Sequence, residues 1–191
     1  MISIVDCTNP EYPLLADEYV APLVSIVSRA GYEPTVIGLS DLNQEPEVMP
    51  DAVILSGTAL ADTWYRSSGL PGWFIDQAVP VLGICAGMQL LVQAGGGTII
   101  PFCEIGMITV IRALPDSIIR DDSFQAYALH QSGVKISDSW IVVARSAGGV
   151  QAVRHQSEPW YGVLFHPEVR TEWVISRFLE YMVTDRCGSI I

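Results

Sequence analysis

Val79-Pro80-Val81-Leu82-Gly83-Ile84-Cys85-Ala86-Gly87-Met88-Gln89-Leu90-Leu91-Val92-Gln93-Ala94 passes from a short apolar run, through a cysteine between two glycines, into a series of good helix formers. The first part reads as a strand covered on both faces and the last as a helix, so Cys85 falls at the tip of a sharp strand-to-helix turn. At that position free N–H groups and the positive end of the helix dipole favour a negatively charged group, and open α/β sheets hold ligands at the carboxyl ends of their strands. The glycines at 83 and 87 are expected to let the backbone bend tightly and a substrate approach. Taken alone, a G-x-C-x-G match fits a buried, inert cysteine equally well.

A second segment changes that balance. Tyr161-Gly162-Val163-Leu164-Phe165-His166-Pro167-Glu168 reads as another buried strand, ending in a histidine, a proline and a carboxylate. If the extended path continues through Pro167, strand alternation places His166 and Glu168 on one side. An imidazole oriented by a carboxylate can take a proton from a thiol and return it to a leaving amine.

With both segments in hand, the chain resembles the class I (triad) glutamine amidotransferases. The patterns G-[IV]-C-x-G-x-Q and F-H-P-E are matched at residues 83–89 and 165–168. Asp51 to Gly57 resembles the strand and loop before the family's oxyanion turn, Glu104-Ile105-Gly106 its E-x-G, and His130 the histidine of its central segment. The resemblance implies hydrolysis of the glutamine side-chain amide through a γ-glutamyl thioester. Cys85 would be the nucleophile, His166 base then acid, and Glu168 the group orienting His166. The backbone N–H groups of Thr58 and Ala86 would form the oxyanion hole, with Gly57, Gln89, His130 and Gln131 at the substrate. Among the family's branches, the general similarity is greatest to the glutaminase subunit of GMP synthase.

The chain departs from the family pattern in two places. Family members read S-G-G-P-x-S or S-P-G-P-G where this chain has Ser56-Gly57-Thr58-Ala59-Leu60-Ala61, so Thr58 replaces a glycine whose amide would face the oxyanion. A threonine adopts positive φ only at a steric cost. The segment His130-Gln131-Ser132-Gly133 departs as well, at contacts to the amino-acid head of the substrate.

Composition narrows the partners. With 191 residues, half of them apolar, the chain can bury a large core, and its formal charge of −11 argues against nucleic acid or anionic membrane as a partner, since phosphate binding wants a basic face. Cys7, Cys85, Cys103 and Cys187 lack metal-ligand spacing, and a catalytic thiol suits a reducing cytoplasm. No metal or cofactor is expected. Residues 79–102 are apolar, yet Pro80, Gln89, Gln93 and Gly95-Gly96-Gly97 argue against a membrane span. Met1 to Asp6 reads as a first buried strand rather than a signal peptide.

Strands and helices alternate elsewhere. A helix is expected from Leu15 to Ala30, stopped by Gly31. Strands are expected over Glu33–Gly38, Ala52–Ser56 and Pro80–Ile84, with a helix within Trp64–Gln77. The pattern then turns strand-rich, at Met107–Leu114, Trp140–Ser146, Val150–His155 and Gly162–Phe165, and ends in a helix over Glu172–Val183. These elements give an α/β fold of flavodoxin-like type: an open, mostly parallel sheet flanked by helices, in one domain over 1–191. Trp64-Tyr65-Arg66 reads as local packing and His155 as structural. With no nucleotide loop in the chain, the ammonia would pass to a separate synthetase. The alternatives are a stand-alone γ-glutamyl hydrolase or peptidase, and a non-catalytic binding domain on the same fold.

Overall fold

The computed structural model of the protein describes residues 1–76 and 78–181. Its first strands, β1 (Ile2–Asp6), β2 (Pro34–Gly38), β3 (Ala52–Leu55) and β4 (Val81–Ile84), are short, and all but β2 are almost wholly buried. Burial on both faces explains why they read as continuous apolar runs without alternation. Five more strands follow: β5 (Thr98–Arg112), β6 (Ser123–Lys135), β7 (Trp140–Arg145), β8 (Val150–His155) and β9 (Trp160–Val163). Together they form one sheet in the order β2-β1-β3-β4-β9-β8-β7-β5-β6. The pairings from β2 to β9 are parallel and the rest antiparallel. The key neighbour pair is β4 and β9, with Ile84 opposite Val163, because it brings the cysteine and histidine segments side by side.

Several boundaries differ from the sequence expectation for identifiable reasons. The helix expected over Leu15–Ala30 is two helices, α1 (Leu14–Tyr19) and α2 (Ala21–Arg29), broken at Val20. Pro22 lies in the first turn of α2, where its missing N–H is tolerated but where it cannot continue α1. Leu23, Ile26 and Val27 then bury one face of α2. The helix expected within Trp64–Gln77 is a 3₁₀ turn at Trp64–Ser67 and a short α3 (Gly72–Asp76), separated by Gly69 at φ 63° and Pro71; Gln77 lies outside the described residues. The fourth helix, α4 (Ala86–Ala94), starts directly after Cys85, and α5 (Trp173–Leu179) stops before the expected Val183, which is also outside the described residues.

The antiparallel half shows the largest difference. The strand expected from Met107 begins nine residues earlier, at Thr98, with a bulge between Pro101 and Glu104. The whole of β6 was not expected. Its inward residues Ala126, Ala128 and His130 alternate with Tyr127 and Leu129, so apolar side chains lie on both faces and no clear two-residue period is visible. The last strand, β9, is registered at Trp160–Val163 rather than Gly162–Phe165.

Two apolar clusters flank the sheet. One joins α2 and α5 to Ile4, Ile54 and Ile84, and extends to Ala126 and Val143. The other joins α4 to Val5, Leu55 and Val81, and extends to Trp140 and Trp160. Among the described residues no helix is long and apolar enough to cross a membrane.

Candidate active site

Strand β4 ends at Ile84, and the next residue takes the entire change of direction. Cys85 has φ 48° and ψ −100°, a region closed to most L residues, at a cost of about 1–3 kcal/mol. Its N–H donates to the Val163 carbonyl at 2.8 Å, which ties the turn to β9. Neither neighbouring glycine has positive φ, so the expectation that they supply the bend is corrected. They are needed for space: a Cβ on Gly87 would lie 2.4 Å from the Leu55 carbonyl oxygen, and one on Gly83 would lie 2.6 Å from the Gly87 carbonyl.

His166 and Glu168 follow the end of β9. The path through Pro167 is a turn, not extended strand as expected, with Val169 N donating to His166 O at 3.3 Å and Thr171 N to Pro167 O at 2.9 Å. The turn nevertheless brings the side chains together. His166 Nδ1 lies 2.7 Å from Glu168 Oε1, and these side chains are 1% and 2% exposed. The His166 N–H donates to Tyr127 O on β6, which anchors the turn to the antiparallel half.

Cys85 and His166 meet around Gly57. A Cβ built there would be 2.6 Å from His166 Cε1 and 3.5 Å from Cys85 Cβ, so only glycine allows the three segments to close. Burial alone would lower the pKa of His166, but Cys85 and Glu168 outweigh it and hold the imidazole well above its ordinary value. Cys85 lies close enough to act on the imidazole electrostatically. No hydrogen bond of ordinary geometry joins them, however: the thiol is aimed at Leu129 O, 3.9 Å away, and His166 Nε2 is buried without a partner among the described residues. Tyr19, unmarked in the sequence, packs its ring 5.7 Å from the His166 ring and is 4% exposed.

The 56–62 loop forms one wall. Neither Gly57 nor Thr58 has positive φ, so Thr58 carries none of the steric cost expected of it. Its hydroxyl donates to Asp62 Oδ2 at 2.5 Å, and the same carboxylate accepts from the N–H groups of Asn9 and Trp64, both at 2.9 Å. The N–H of Gly87 donates to Ser56 O at 3.2 Å. The loop is therefore pinned to the start of α4.

The opposite wall is β6. Gln89 is 2% exposed; its Nε2 donates to Ser132 O at 2.9 Å and its Oε1 accepts from the Tyr65 hydroxyl. Arg66 donates from Nη2 to Ser132 Oγ at 2.7 Å and from Nε to the Tyr65 oxygen at 3.3 Å. Tyr65 and Arg66, expected to be local packing, thus close the cleft across Gln89, leaving about 10 Å³ of free volume. Gln131 is exposed at the rim.

His130 is 2% exposed, with Nδ1 3.2 Å from Phe102 O and Nε2 3.6 Å from Glu104 Oε2. Burial, with a smaller contribution from His166 and against the Phe102 hydrogen bond, lowers its pKa to about 4 and keeps it neutral despite the nearby carboxylate. Glu104 is held by Ser146 Oγ at 2.8 Å and Gln151 Nε2 at 2.6 Å, so the E-x-G segment braces β5 against β7 and β8. Among the described residues no group of three or more His, Cys, Asp or Glu is arranged to hold a metal ion.

Known proteins resemble this chain in sequence and in fold. The family described as "Glutamine amidotransferase class-I" matches residues 15–180. The GMP synthase (glutamine-hydrolyzing) subunit from Methanothrix thermoacetophila is 36% identical over 150 residues, 72% of this chain and 81% of that protein. The GMP synthase of Shewanella frigidimarina is 29% identical over 157 residues, and there the matched region spans only 30% of the relative's length. Among solved structures, a GMP synthase subunit-like protein from Thermoplasma acidophilum superposes with a TM-score of 0.82 at 21% identity, covering 98% of this chain and 96% of that one. The PurLQS structure from Thermotoga maritima gives 0.68 at 17%, covering 95% and 98%. The match across residues 15–180 and the two-segment cysteine and histidine site together place this chain in the class I glutamine amidotransferase family.

Proposed function

We propose that the protein hydrolyses the side-chain amide of glutamine at Cys85 and supplies the ammonia to a separate synthetase. The observation that carries the proposal is the buried His166–Glu168 pair set against a cysteine held in a constrained elbow. His166 Nε2 takes up the Cys85 proton, and its raised pKa favours holding that proton while the thiolate sulfur attacks the amide carbon. The N–H groups of Thr58 and Ala86 stabilise the oxyanion, and the Thr58 N–H has no other hydrogen bond among the described residues. The imidazolium then gives its proton to the nitrogen, the C–N bond breaks and ammonia leaves. Water, deprotonated by His166, cleaves the thioester to glutamate and restores the thiol. Glu168 orients the imidazole and stabilises its cation. A thiol used in this way works in a reducing compartment, in keeping with a cytoplasmic location.

The subunit form of GMP synthase in Methanothrix supports a partner on another chain. The exposed apolar row Ile105, Met107 and Ile111 on β5 is a suitable docking surface, since Ile105 and Met107 pair with Leu129 and Tyr127, whose carbonyls touch Cys85 and His166.

The test is ammonia release from glutamine by the purified protein, alone and with a GMP synthase synthetase subunit. Glutamine-dependent ammonia release that disappears in Cys85→Ala is the expected outcome. Activity retained by that variant would overturn the nucleophile assignment, and a rate unchanged by the synthetase would remove this candidate for the acceptor.

A further inference from the structure

We propose that Arg66 is the specificity-determining residue that receives the α-carboxylate of the substrate. Arg66 is the only arginine or lysine among the described residues that line the Cys85 cleft, in a chain of formal charge −11. Arg29, Arg112, Arg154 and Arg177 each face a carboxylate within ion-pairing distance. Arg66 faces none among the described residues, and its two hydrogen-bond partners there, Ser132 Oγ and the Tyr65 hydroxyl, are neutral. The nearby carboxylate of Asp62 does not compensate it, because its oxygens are taken up by Thr58, Asn9 and Trp64.

The surroundings fix the guanidinium as a receptor. Nε and Nη2 are held by Tyr65 and Ser132, so the plane of the fork is set, while Nη1 has no acceptor among the described residues. Tyr65, which presents its hydroxyl to Arg66, presents the same group to Gln89 one helical turn into α4 from Cys85. One continuous hydrogen-bonded path therefore leads from the cation to the nucleophile end of α4. A substrate with a carboxylate at one end and an amide at the other, separated by a short carbon chain, carries its groups in the order in which the cleft presents a guanidinium and a thiol. A planar fork also suits a carboxylate better than a point charge does. The two partners now on Arg66 are a hydroxyl and a phenol, weaker acceptors than a carboxylate, so Nη1 is left to take the stronger ion-paired contact.

This inference rests on Cys85 being the nucleophile, so the experiment reads Cys85 alkylation directly. Two electrophiles are compared: diazo-oxo-norleucine, which carries the amino-acid head, and iodoacetamide, which does not. In Arg66→Met, Cys85 alkylation by low diazo-oxo-norleucine is expected to slow about 10- to 100-fold, the range for losing a charge-assisted contact, while alkylation by iodoacetamide keeps its rate. Arg66→Lys should recover part of the difference. Equal slowing with both reagents would make Arg66 a structural support of Tyr65 and Ser132, and no slowing with either would place the carboxylate elsewhere; both overturn the inference. If diazo-oxo-norleucine leaves wild-type Cys85 untouched while modifying another residue, the nucleophile assignment fails, and this inference with it.

Discussion

Cys85 is held between opposing demands: its backbone is strained, the residue is 5% exposed, and yet as the proposed nucleophile its sulfur must reach a substrate. Its reactivity should depend on His166 rather than on access. Iodoacetamide is expected to label Cys85 ahead of the exposed Cys103 and of Cys7, which is fully buried and whose pKa is raised chiefly by that burial. In His166→Ala, Cys85 labelling should fall at least about tenfold while Cys103 is unaffected, as peptide mapping by mass spectrometry would show. For turnover, Glu168→Gln should lower kcat about 10- to 100-fold with little change in KM, since the carboxylate orients the base without binding the substrate. An equal loss in KM would instead assign Glu168 to substrate binding. These three residues were singled out in the sequence because the chemistry proposed for them is tied to short local patterns. Tyr19, Tyr65 and Arg66 were not, because a phenol or guanidinium within an ordinary helix or turn has no local signature; only the fold brings them to the cleft.

Elements delivered the site more faithfully than their boundaries suggested. Strands β1, β3 and β4 were legible as buried apolar runs, and the β4–α4 elbow as a change of periodicity. The α1–α2 break was legible only through Pro22, and β6 not at all, because its inward face is built from alanines and a histidine. That hidden strand supplies Leu129, His130 and Ser132, which is why the substrate wall was the least readable part of the site. The elbow leads to a prediction at this scale. Gly87→Ala would push a methyl into the Leu55 carbonyl and separate α4 from β3. It should destabilise the protein by about 2–4 kcal/mol, measured by urea unfolding. A cost below about 1 kcal/mol would show that the helix start can shift without loss.

Across the whole molecule, His130 and His166 make opposite contributions to stability as pH changes. Unfolded His130 protonates near 6.5 but the folded residue only near 4, so the unfolded state binds more protons between those values. Stability should fall as pH drops through that window, by up to about 3 kcal/mol, less whatever Glu104 recovers by pairing with the cation. His166, raised when folded, contributes stability that is present below about 6.5 and lost as pH rises through its folded value. Urea midpoints for the wild type and His130→Gln at pH 7 and 4.5 separate the two, and parallel losses would exclude His130 as the sensor. The sheet order carries a further consequence, for biosynthesis. Strand β9 is the last of the nine in the chain, yet it lies between β4 and β8, so until it emerges from the ribosome β4 has a bare apolar edge and His166 is not beside the thiol. The nascent chain must keep that slot free of other strands, and under the proposed mechanism hydrolytic power arrives only with the insertion that closes the sheet.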